Sequence, residues 1–132
     1  IYVSNHGGRQ IDHALGAIEM LPEVVDAVSG GAEIVFDSGV LRGSDVLKAL
    51  ALGAGAVGIG KLHALAAAAG GADAIVRCLE LLETEIRTTM ALLGVTSLAE
   101  LDSSYLAPAS PTALPYPLGA FLPDGDSAQE SV

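Results

Sequence analysis

Glu33 to Gly60 reads E-I-V-F-D-S-G-V-L-R-G-S-D-V-L-K-A-L-A-L-G-A-G-A-V-G-I-G, and this stretch decides the fold. It opens on a short apolar run, Glu33 to Asp37, and closes on another, Ala56 to Gly60. Neither run alternates with polar residues, as expected of strands covered on both faces. Between them Val46, Leu47, Leu50 and Ala51 recur at helical spacing, after Ser44, a good N-cap, and before Gly53, a good C′ residue. Strand, helix and strand in this order make a βαβ unit with parallel strands.

The pattern extends both ways. Upstream, Ile1 to Ser4 is a third strand candidate, followed by Ile18, Leu21, Val24, Val25 and Val28 at helical spacing, with Pro22 expected in the opening turn. Downstream, a short Ala-rich helix is expected over His63 to Ala69. A long helix then carries the stripe Ile75, Leu79, Leu82, Ile86, Met90 and Leu93, and stops at Gly94. Repeated right-handed βαβ units build an open doubly wound sheet or a (β/α)₈ TIM barrel. Three strands cannot close a barrel, so missing strands or a partner chain are expected to complete the sheet. A chain of 132 residues that opens on Ile1-Tyr2-Val3 rather than Met reads as a piece of a longer polypeptide.

Composition removes several classes of function. Sixteen acidic against six basic residues give a formal charge of −10. Nucleic-acid binding depends on many Lys and Arg displacing counterions, and anionic membranes attract the same residues, so neither partner is expected. No apolar run approaches the ~20 residues of a membrane span. No signal peptide is visible, and a cytoplasmic location is the expectation. The lone Cys78, set among apolar helix residues, reads as a small buried hydrophobe, and no metal-ligand set is apparent. Five of the six prolines (Pro108, Pro111, Pro115, Pro117 and Pro123) fall after Leu106. Residues 106–132 therefore read as an extended tail, with Phe121 and Leu122 as possible anchors, and residues 1–105 as the folded part.

Chemistry-bearing residues gather after the strands. Ser4-Asn5-His6-Gly7-Gly8-Arg9-Gln10 follows the first, Asp37-Ser38-Gly39-Val40-Leu41-Arg42-Gly43 the second, and Gly60-Lys61 the third. Arg9, Arg42 and Lys61 are three of only six basic residues, and all lie at strand ends. Glycines there let backbone N–H groups approach an anion, so a converging phosphate site is expected. His13 and His63 read as structural or merely exposed. His6 sits in a Gly-rich loop three residues before Arg9, a pairing suited to removing a proton beside a bound carboxylate.

At Ser4 to Gln10, followed by Asp12, the sequence resembles the active-site signature of the FMN-dependent 2-hydroxy-acid oxidase and dehydrogenase family. Asp37 to Lys61, including V-L-K-A-L-A-L-G-A, is similar to the family's second block, and the likeness continues through T-M-A-L-L-G-V to about residue 105. The resemblance implies the last three βα units of a (β/α)₈ barrel, FMN as cofactor, and oxidation of a 2-hydroxy acid to a 2-oxo acid. It implies His6 as proton acceptor and Arg9 as the grip on the substrate carboxylate. It places Ser4 and His6 by the flavin, Asp37 on the ribityl hydroxyls, Ser38, Gly39, Gly60 and Lys61 around the phosphate, and Val40, Leu41 and Arg42 also in the cofactor site. It also implies an N-terminal part of the barrel, from the same gene product or a separate chain, and a homo-oligomer such as a tetramer.

The family usually reads D-G-G-V-R-R-G where Ser38 and Leu41 replace a glycine and the first arginine, and usually has arginine where Lys61 stands. Lysine supplies charge without a bidentate fork. Phosphate binding is then weakened unless Arg42 turns inward. The alternatives are another phosphate-binding FMN barrel, which would not need His6 with Arg9, and a non-catalytic or differently specialised FMN-barrel subunit that needs a partner chain.

Overall fold

The computed structural model describes residues 1–109 of the chain. Three two-residue strands, β1 (Tyr2–Val3), β2 (Val35–Phe36) and β3 (Ala56–Val57), form a parallel sheet in the order β1-β2-β3. Tyr2 pairs with Val35 and Val35 with Ala56, while Val3 pairs with Phe36 and Phe36 with Val57. Helices α1 (Ala17–Val28), α2 (Gly43–Ala51) and α3 (Lys61–Leu93) follow the strands in turn. The α/β reading with a parallel sheet therefore holds. The strands are shorter than their apolar runs. The tail anchors expected at Phe121 and Leu122 lie outside the described residues.

Alternation along the strands decides which face is buried. Val3 and Phe36 point into a core with Ala17, Leu21, Ile34, Val40, Ala49 and Ala54. The opposite face carries Tyr2, Val35 and Ala56, of which Tyr2 and Ala56 are exposed. The helices thus cover one face of the sheet. The α3 stripe is only partly covered: Leu82 is buried, whereas Leu79 and Leu93 are exposed. Cys78 is half-buried rather than buried.

Three local expectations need correction. Pro22 lies in the second turn of α1, not the first. Its ring is on the exposed side, so the carbonyl it leaves unpaired can reach water. Helix α2 starts one residue before the expected cap Ser44, with Arg42 at the N-cap. Asp45 drives this, because its Oδ2 accepts the Leu41 and Arg42 N–H groups at 3.2 and 3.1 Å. The short helix begins at Lys61 rather than His63 and runs into the long one through a break. Gly70 and Gly71 leave helical geometry there, with Gly71 at φ 62 and ψ −142, a conformation open to glycine. Gly94, at φ 72, ends α3 as expected.

Helix α2 sits close on α3. A Cβ at Gly43 would lie 2.6 Å from Glu85 Cβ and from the Ile86 nitrogen, so only glycine allows this approach. The contact sets the direction in which α2 leaves the Asp37–Arg42 loop, and so places that loop at the sheet edge. No described helix is long and apolar enough to cross a membrane.

Candidate active site at the C-terminal edge of the sheet

Parallel pairing brings the C-terminal ends of all three strands to one edge. The Ser4–Arg9 loop, the Asp37–Arg42 loop and the Gly58–Lys61 turn lie there side by side. His6 is exposed and precedes a 3₁₀ turn, Gly7–Gln10, which holds Arg9 in its backbone. The Ser4 hydroxyl accepts the His6 N–H at 3.2 Å, which ties the histidine's backbone to the end of β1.

Ser38 joins the first two loops. Its Oγ accepts the Asn5 N–H at 2.9 Å and lies 2.9 Å from Asn5 Oδ1 and 3.1 Å from Asp37 Oδ1. One hydroxyl proton serves either of those acceptors at a time. Ser38 stands at φ 113, a backbone region that disfavours a side chain, so the link is made against local strain. Gly39 follows at φ 69, and a Cβ there would meet nothing within 4 Å. Gly60 is equally open. Val40 turns its side chain into the core, leaving only its backbone for the site.

The helix N-termini differ in what they offer an anion. At α1, Glu19 Oε2 accepts the Gly16 N–H at 2.6 Å. At α2, Asp45 takes the Leu41 and Arg42 N–H groups, and Glu85 Oε2 takes the Gly43 N–H at 2.7 Å. These carboxylates already occupy what a phosphate would need. At α3 no side chain caps the N-terminus and no acidic residue lies in its first turn. The N–H groups of its first turn therefore point out beside Gly60 and Lys61, with the positive end of the helix behind them.

Arg42, expected among the phosphate ligands, is engaged elsewhere. Its Nη2 lies 2.8 Å from Glu85 Oε1 on α3. Leu41 is half-buried and apolar, so among the described side chains of the second and third loops Lys61 is the cation left at the edge. Glu85, Asp45 and Tyr2 were not singled out as site residues by sequence. Asp45 could have been found as an acid at N3 of a helix, and Tyr2 by its two-residue spacing from Ser4. Glu85 lies 42 residues from Gly43 and carries no local signal.

Comparison with known proteins supplies the family. The model of the FMN-dependent dehydrogenase family matches residues 1–108. The chain belongs to the FMN-dependent dehydrogenase family. It is 55% identical over 97 residues to a 4-hydroxymandelate oxidase of Amycolatopsis orientalis, covering 74% of this chain and 27% of that protein. It is 46% identical over 106 residues to an L-lactate oxidase of Nostoc sp., covering 80% of this chain and 29% of the relative. A crystal structure of mandelate oxidase with benzoyl-formic acid superposes with a TM-score of 0.71 at 53% identity, covering 76% of this chain and 30% of that one. A mandelate oxidase mutant with a monooxide FMN adduct superposes equally well, at 53% identity and a TM-score of 0.71, over 76% of this chain and 32% of its own. This member of the FMN-dependent dehydrogenase family thus spans under a third of the length of these relatives.

Proposed function

We propose that this chain supplies the last three βα units of a (β/α)₈ barrel that oxidises a 2-hydroxy acid to a 2-oxo acid with FMN. The observation that carries the reading is the shared sheet edge, where the Ser4–Arg9 loop is tied at Asn5 through Ser38 to Asp37 beside the open N-terminus of α3.

The residues fit FMN. The free first-turn N–H groups of α3, the Lys61 ammonium and the open Cα faces of Gly39 and Gly60 suit a phosphate. The half-buried Asp37 carboxylate suits ribityl hydroxyls as an acceptor. When bound, FMN supplies the two-electron acceptor for the substrate. Arg9 carries the planar donor fork that matches a carboxylate and would fix the substrate's C1 end. His6, three residues away, would take the proton that leaves the substrate as it is oxidised. The Ser4 bond to its N–H holds the loop in place for this step.

The test is His6→Ala in the full-length flavoprotein. It is expected to retain flavin, since the phosphate and ribityl contacts lie on other loops, and to lose about 10²–10⁴ in the rate of anaerobic flavin reduction. Near-normal bleaching of the flavin band would overturn the assignment. Arg9→Lys is expected to raise KM for 2-hydroxy acids, because a point charge replaces the fork.

A further inference from the structure

Tyr2 shares the uncovered face of the sheet with Val35 and Ala56, its register partners across β2 and β3. Two residues further along each strand, the same face carries Ser4, Asp37 and Gly58. The tyrosine leans across β2 toward β3. A Cβ built on Gly58 would lie 2.6 Å from the Tyr2 hydroxyl oxygen, 3.8 Å from its Cζ and 3.4 Å from Asp37 Cβ. The phenol tip and the Asp37 side chain therefore both stand over the one position in that row that has no side chain. The phenol's pKa stands above its ordinary value, first through desolvation and then through the negative charge of the nearby Asp37 carboxylate. Ser38 Oγ approaches the same carboxylate at Oδ1, 3.1 Å away.

We propose that Tyr2 is a positioning residue that holds the Asp37 carboxylate in place for the ribityl chain of FMN, its hydroxyl standing in the space that a side chain at Gly58 would take. The proposal rests on the flavin reading given above and adds to it a residue from the strand preceding the substrate loop. A carboxylate free to rotate must be ordered when its ligand arrives, which lowers affinity. Tyr2, from the neighbouring strand, and Ser38, the next residue in the chain, flank Asp37 and restrict that freedom beforehand. The phosphate side has no part in this arrangement.

The experiment is FMN titration of the full-length apoprotein, read by quenching of flavin fluorescence, for the parent, Tyr2→Phe, Gly58→Ala, Asp37→Asn and the double variants. Removing the hydroxyl that stands beside Asp37 is expected to weaken FMN binding about three- to tenfold in Tyr2→Phe, the size of one polar contact to a charged group. Gly58→Ala is expected to match it by displacing the hydroxyl. Combined with Tyr2→Phe it should add less than about twofold, because the remaining ring carbon leaves room for a methyl group. Tyr2→Phe should likewise add nothing to Asp37→Asn, a coupling that a merely structural tyrosine would not show. Fully multiplicative losses would overturn the proposal, as would FMN binding by Tyr2→Phe equal to the parent's. If Gly58→Ala does not fold, the Tyr2 and Asp37 pair carries the same test alone. A parent protein that takes up no FMN overturns the flavin reading and this proposal together. A parent that binds FMN beside an unaffected Tyr2→Phe overturns the proposal only.

Discussion

Arg42 Nη2 lies 2.8 Å from Glu85 Oε1, and the other oxygen of that carboxylate takes the Gly43 N–H at 2.7 Å. One side chain on α3 thus holds both the cation that sequence placed at the phosphate and the amide at the start of α2. The pair ties α2 to α3 and engages Arg42 away from the proposed anion site.

This arrangement has an acid signature. The Gly43 N–H first, and then Arg42, hold the Glu85 carboxyl below its ordinary value of 4.5. A carboxylate whose pKa is depressed by folding contributes stability above its unfolded pKa and loses it as pH falls through the folded value. Glu85→Gln is therefore expected to lower Tm at neutral pH and to converge with the parent in acid below the ordinary carboxylate range. Tm measured against pH for both proteins checks this. A constant offset at every pH would show that the ion pair contributes nothing through charge.

With Arg42 occupied, position 41 is where a further phosphate cation would have to stand. Leu41→Arg is expected to tighten FMN binding, since a well-placed bond to a charged group contributes about 1.5–3 kcal/mol and less when exposed. Salt should weaken that gain. Fluorescence titration at two ionic strengths checks both parts, and an unchanged Kd would mean that Lys61 and the α3 amides already saturate the phosphate.

The Ser38 link predicts opposite roles for its hydroxyl and its backbone. Ser38→Ala keeps the strained φ of 113 but loses the bonds to Asn5, so hydrogen exchange at the Asn5 amide should accelerate and stability should fall by about 1 kcal/mol. Ser38→Gly loses the same bonds but relaxes the backbone, and is expected to recover part of the stability without restoring Asn5 protection. Asn5 protection that survives in both variants would show that the loops are held by something else.

The apolar surface predicts how residues 1–132 behave alone. Ile1, Ile11, Leu15, Leu65, Val76, Leu79 and Leu81 are exposed, and among the described residues β1 and β3 each pair on one side only. Expressed separately, the segment is expected to self-associate and to bind an apolar dye. A monodisperse monomer with a cooperative melt would show that this surface is tolerated without a partner.

Sequence by itself determined the order of elements, the parallel sheet and the clustering of chemistry after the strands. Apolar runs, helical stripes and the glycines Gly53 and Gly94 act locally, and local rules read them. The loop Ser4 to Gln10 was legible for the same reason, as a continuous motif. Tertiary structure alone decided which charges remain at the site. Arg42 is turned away by Glu85, which lies far along the chain, and Ser38 meets Asn5 across 33 residues. Tyr2, Asp37 and Gly58 come together only when β1, β2 and β3 are in register. No pattern within one segment encodes such a meeting, because it depends on where separate segments pack, and packing is settled by the whole core at once.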